Sequence, residues 1–252
     1  FRSSGGIALA VLYGAFIAVC FVGPLASIVA ESLAIRNASR VGSSLGLGNY
    51  VSLFTRRGFV PALANTALLG LLCAALASVA GFTLSIGLKR ARSPFLSKTL
   101  PLLPLGVSGV VLAYGWNSAL GRSSTLAVAA VQAVSAYPFA LRAIQSSVGL
   151  SDERYVEAAR CLGSSRLGAA LRVRLPMAAS SIASGFAFAF AMSAGDANAL
   201  IAAPVAGFET LALMLYRLAG SYRLNEACAA AVLLAIGTGF IFFIKDASDV
   251  RL

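Results

Sequence analysis

An all-α, polytopic membrane protein of about six transmembrane helices is the fold class this sequence predicts, and three observations predict it. Of its 252 residues 59% are hydrophobic and only 12% charged, about half the charged share of an ordinary soluble domain. The mean hydropathy is +0.86. The apolar residues gather in runs of roughly 20 or more, the length a helix needs to cross a hydrocarbon core, and the cations fall in the connectors between them.

The first run covers residues 7–30 and ends at Glu31. The second, 60–88, stops at Lys89-Arg90-Ala91-Arg92. The third, 99–120, carries Pro101 and Pro104 near its start, where a helix tolerates proline, and the fourth, 125–148, carries Pro138 inside. A charged segment, 151–175, then leads to the fifth run, 176–203, and the sixth is 227–244. Residues 1–252 read as one transmembrane domain. With the N-terminus on the cytoplasmic side, the larger share of the 20 Lys and Arg falls in cytoplasmic connectors, so both termini are expected inside. The loop before the second run, 31–58, then faces out.

A net charge of +11 would raise the question of nucleic acid in a soluble protein; in connectors between apolar runs it orients the chain in a bilayer, and no nucleic-acid partner is expected. The chain has no histidine, which excludes most hydrolytic triads and most zinc and haem sites. Its four cysteines form no CxxC pair. Neither metal nor cofactor is expected. Gly42-Ser43-Ser44-Leu45-Gly46 fits the G-x-S-x-G pattern, but without a base or a strand-turn-helix context it reads as a Gly/Ser-rich loop.

The segment 151–175 is the most informative. Ser151 stands where an N-cap belongs, Asp152 and Glu153 occupy the first turn, Arg160 the last, and Gly163 stops the helix. A second helix is predicted from Ser165 to about Val173, separated by Pro176 from the fifth run. This capped pair forms a rigid cytoplasmic projection between the fourth and fifth spans, a shape that implies a partner.

Glu157-Ala158-Ala159, then Gly163 after three residues, Val173 after nine more, and Leu175-Pro176, resembles the EAA motif of ATP-binding cassette importer permeases, with valine in place of isoleucine. The resemblance extends over most of the chain and includes Asn65-Thr66. Phe208-Glu209-Thr210-Leu211 and the stretch to Arg223 are similar to the end of thiamine and ferric-iron permeases, many of which fuse two six-span halves. A start at Phe1 suits the second half of such a fusion.

The resemblance implies a noncatalytic translocation subunit of the bacterial inner membrane that alternates between inward-open and outward-open states. Its implied partners are a cytoplasmic ATPase, a second permease half or copy, and an extracytoplasmic substrate-binding protein. Glu157, Ala158, Ala159, Gly163, Leu175 and Pro176 would form the ATPase-docking segment. Thiamine or ferric iron is the expected cargo, with polyamines or oxyanions as the alternative.

Asp196 lies well inside an apolar run, in Ser193-Ala194-Gly195-Asp196-Ala197-Asn198, and an acid there reads either as part of a gate near the outer surface or as a helix cap. Asn198, Asn65, Asn117 and Tyr137 are the further candidates for the pathway; Trp116, Asn117, Gln132, Tyr137 and Gln145, in the third and fourth runs, either line a passage or satisfy one another between helices. A secondary transporter is the competing class. It would need a coupling-ion site, and the runs hold almost no carboxylates for one.

Overall fold

The computed structural model describes residues 4–36, 43–88, 93, 95, 99–150 and 153–249; Gly42, the Lys89–Arg92 stop, Ser151 and Asp152 lie outside the described residues. The chain divides into two compact units, Phe1–Val60 with Met214–Ala235, and Pro61–Leu213 with Ile236–Leu252.

In chain order, α1 (Ser4–Ile17), a π turn (Ala18–Val22) and α2 (Gly23–Leu33) carry the first run. A hairpin of β1 (Ala34–Arg36) and β2 (Ser43–Leu45) and the short α3 (Gly48–Thr55) precede α4 (Phe59–Leu88). A 3-10 turn (Leu100–Gly106), α5 (Gly109–Leu120) and α6 (Thr125–Leu150) follow. Then come α7 (Glu153–Cys161), α8 (Arg166–Ala169), a second π turn (Ala170–Arg174), α9 (Leu175–Met177), α10 (Ala179–Gly195), α11 (Asn198–Ala202), α12 (Leu211–Gly220) and α13 (Leu224–Asp249).

Among the described residues four helices are long and apolar enough to cross a membrane, Leu9–Leu33, Phe59–Leu88, Thr125–Gln145 and Leu224–Ala247, and the bent pair Arg166–Met177 with Ala179–Gly195 would be a fifth. The third run does not form one helix. Pro101 and Pro104 withhold two backbone donors, so the stretch is a 3-10 turn that ends at Val107, and α5 begins only at Gly109. The fifth run is shorter than 176–203, because the chain leaves the helix at Asp196 and re-enters it at Asn198.

Both π turns have the same cause. Pro24 and Pro176 have no N–H, and in an α-helix their rings would press on the carbonyls of Cys20 and Arg172. Widening the turn lets the residue before each proline donate five residues back, Gly23 N to Ala18 O and Leu175 N to Ala170 O. Pro176 therefore does not separate the helices as the sequence predicts. The helix runs on to Met177 and the 77° bend falls at Ala178.

In the unit that holds the N-terminal helices, the predicted loop 31–58 is largely ordered secondary structure. Ile35 pairs with Ser44 across the antiparallel hairpin, which gives the backbone of a Gly/Ser-rich stretch its hydrogen-bond partners. Asn49 Nδ2 donates to Ser32 O at 2.9 Å and to Ala34 O at 3.0 Å, and Tyr50 Oη and Ser32 Oγ share a 2.9 Å bond. Asn225 Nδ2 reaches Glu31 O and Ala34 O, at 2.9 and 3.0 Å. Glu226 lies between Arg56, at 3.1 Å, and Arg223.

The second unit is organised on α6, whose principal neighbour is α10. Small residues let the backbones approach. A Cβ on Gly185 would stand 3.0 Å from Ala140 Cα, and one on Gly81 would stand 3.0 Å from Leu141 N, so α10 and α4 both close on the same turn of α6. Leu69, Val128, Val131 and Leu200 fill the core beside it.

Candidate functional site

The charged segment is built by its caps. In α7 Glu157 and Ala158 are exposed and Ala159 half-buried. Beyond the helix, Gly163 takes φ +90°, a left-handed conformation that glycine reaches without strain. Gly163 N donates to Arg160 O and Ser164 N to Ala159 O, which together form a Schellman C-cap. Ser165 then caps α8, its hydroxyl accepting from Gly168 N at 3.0 Å. A surface hollow of about 590 Å³ opens between Glu157, Arg160 and Ser164–Arg166. Leu162 and Leu167 stand beside it, 89% and 72% exposed. Two leucines held out by a rigid cap make a surface suited to a protein partner.

A second polar site lies where α10 ends. Gln132 of α6 is only 3% exposed, and both ends of its amide are occupied. Its Oε1 accepts from Ser193 Oγ at 2.6 Å, and its Nε2 donates to the carbonyl and the carboxylate of Asp196, each at 3.3 Å. The other carboxylate oxygen of Asp196 accepts from Asn198 N at 2.8 Å, so Asp196 also caps α11. Gln132, Ser135, Ser193, Asp196 and Asn198 line a cleft of about 310 Å³ together with Gly109. The half-buried carboxylate thus lines a cleft and is tied to both α6 and α11.

Residues 92–252 match the binding-protein-dependent transport system inner membrane component family. The chain belongs to that family. Two curated relatives of this permease are the molybdate/tungstate transport system permease proteins WtpB of Pyrococcus abyssi, 31% identical over 128 residues, and of Thermococcus kodakarensis, 30% identical over 162. The matches take in 48% and 61% of this chain, and the chain spans 51% and 64% of the relatives' length. Among solved structures, a bacterial ABC transporter involved in the import of the acidic polysaccharide alginate superposes with a TM-score of 0.77, at 16% identity, over 98% of this chain and 95% of that one. The MetNI methionine ABC transporter, in inward-facing conformations, gives 0.58 at 16% identity over 75% and 93%. These likenesses show the fold. It is the all-α polytopic fold predicted from the sequence.

Of the pathway candidates, the permease brings only Asp196 and Asn198 into the cleft. Asn65 Nδ2 donates to Glu209 O at 3.0 Å, and the neighbouring Thr66 Oγ1 accepts from Leu211 N at 2.8 Å. Asn117 accepts from Ser123 Oγ at the end of α5, and Tyr137 Oη donates to Pro101 O, each at 2.8 Å. These three tie segments of the chain together. Leu175 and Pro176 are exposed beyond the second π turn. Sequence reasoning gave Gln132 as a residue that lines a passage or satisfies its neighbours between helices, without linking it to Asp196, and passed over Leu162 and Leu167. A glutamine within a helix of alanine and valine was the available signal for Gln132; the leucines gave none, since only the cap decides which way they face.

Proposed function

We propose that this permease is the translocation subunit of an ATP-driven importer that carries an oxyanion. The Schellman-capped α7 is the observation that carries the coupling reading. It presents Glu157, Ala158 and two exposed leucines on one firm projection, to which a cytoplasmic ATPase docks. A second permease half or copy completes the pathway, and an extracytoplasmic binding protein delivers the cargo. Ser165 to Pro176 faces the cytoplasm with both termini, and the Asp196 cleft lines the route at its far end. The chain itself performs no catalysis; hydrolysis belongs to the ATPase.

The oxyanion reading rests on the two relatives named for molybdate and tungstate. It replaces thiamine and ferric iron, which rested on residues 208–223. Glu209 and Leu211 of that stretch are engaged by Asn65 and Thr66, so this part of the resemblance serves the fold and says little about cargo.

Proteoliposomes holding the permease, its ATPase and its binding protein test the reading. Uptake of labelled molybdate or tungstate that requires internal ATP is expected. Uptake of thiamine or ferric iron without oxyanion uptake would overturn the cargo, and oxyanion uptake driven by an ion gradient alone would overturn the coupling.

A further inference from the structure

We infer that α3 is a membrane-surface anchor, lying flat among phospholipid headgroups beside the start of α4; this rests only on the membrane-spanning fold. Leu47, Val51 and Phe54 follow the i, i+4, i+7 spacing that puts them on one face of α3, and they are 65%, 59% and 57% exposed. Leu45 of β2, two residues before Leu47, is exposed as well. The opposite face is fixed: Leu53 is fully buried and Asn49 is held by Ser32 O and Ala34 O, while Tyr50, at the edge of the patch, is tied to Ser32 Oγ. The helix therefore cannot roll to bury its apolar side within its own unit.

The position of the patch says what covers it. The Phe54 ring meets the Phe59 ring edge-on at 4.7 Å, and Phe59 is the first residue of α4. The next residue, Val60, is 63% exposed in the first turn of that helix. The apolar face of α3 thus adjoins the first turn of a helix long and apolar enough to cross a membrane. Arg57, exposed in the connector, supplies a cation at the level where lipid phosphates lie. An apolar face with a cation at its edge, at the mouth of a transmembrane helix, fits a phospholipid interface.

The test places Phe54→Trp in a Trp116→Phe background of the full chain, reconstituted into phosphatidylcholine–phosphatidylglycerol vesicles. Bromine attached near the headgroup end of the lipid chains is expected to quench the tryptophan by about half or more, bromine near the bilayer centre less, and aqueous acrylamide little, as an interfacial helix buried about 5–10 Å would give. Quenching by acrylamide without quenching by bromolipid places α3 in water and overturns the inference. So does protection from both, which means that protein covers the face, whether a second copy or a binding protein. Val51→Trp on the same face repeats the measurement should Phe54→Trp fail to fold.

Discussion

Gly185 of α10 leaves room for Ala140 of α6 and for nothing larger: a Cβ at 185 would stand 3.2 Å from both the Ala140 Cβ and its carbonyl oxygen. Gly185→Val is therefore expected to lower stability by about 2–3 kcal/mol through overpacking. Gly87 in α4, where an added methyl meets nothing within 4 Å, is the control. Gly87→Ala is expected to be neutral or to gain up to about 1 kcal/mol. Thermal unfolding of both variants in one detergent checks the pair.

Gly163 and Glu157 separate folding from coupling. Both are exposed. Gly163→Ala forces a side chain into a left-handed turn, at a cost of about 1–2 kcal/mol, without touching another residue. Gly163→Pro and Glu157→Lys are expected to leave normal amounts of protein in the membrane and to uncouple uptake from ATP hydrolysis. Normal uptake by both variants at normal membrane levels would sink the docking proposal.

The Gln132–Asp196 contact gives a sharper test than either residue alone. Asp196→Asn retains the oxygen that caps Asn198 but can turn an NH₂ toward the Gln132 donor. It is expected to cost about 1 kcal/mol of stability through that hydrogen bond, and to change uptake or basal hydrolysis several-fold. Adding Gln132→Glu moves the charge across the contact and restores donor to acceptor between the side chains, with Ser193 still donating to the other oxygen, but it gives up the bond from Gln132 Nε2 to the Asp196 carbonyl. The double variant is expected to show coupling between the two positions, its loss of stability smaller than the sum of the two single losses. Unfolding midpoints and uptake of the two single variants and the double decide it, and uptake unchanged throughout would leave Asp196 as a cap alone.

Orientation is checked by single cysteines placed at Ser44 and Arg160 in a background without Cys20, Cys73, Cys161 and Cys228. A membrane-impermeant maleimide added to intact cells is expected to label position 44 and to spare 160. Equal labelling would reverse or break the topology.

What the sequence made legible was whatever depends on apolar length and local capping. The run 60–88 became Phe59–Leu88 almost residue for residue, and Gly163 ended α7 as expected. What it hid depends on where backbone donors find partners. Pro101 and Pro104 broke the third run, while Pro138 sits inside α6 and Pro176 passes through a π turn. The hairpin was illegible because Ser43 and Ser44 carry no strand signal; pairing with residues 34–36 is a tertiary event. Asp196 stood out as a lone acid, and its cap and its place in the cleft are one geometry, since the same carboxylate holds Asn198 and Gln132.

The 77° bend at Ala178 makes the stretch from Arg166 to Gly195 a crank. Its pivot is stiff: Ala178 is buried, its N donates to Arg174 O and Leu175 O, and its O receives Ile182 N. The arm from Arg166 to Met177 is about 18 Å long and that from Ala179 to Gly195 about 25 Å, at 1.5 Å per residue. A push of about 3 Å on the short arm becomes a swing of about 4 Å at the end of the long one, by that ratio of lengths. The long arm ends one residue before Asp196. Under the docking proposal, a pull on the capped projection is geared, with slight gain, to the end of α10 beside the cleft.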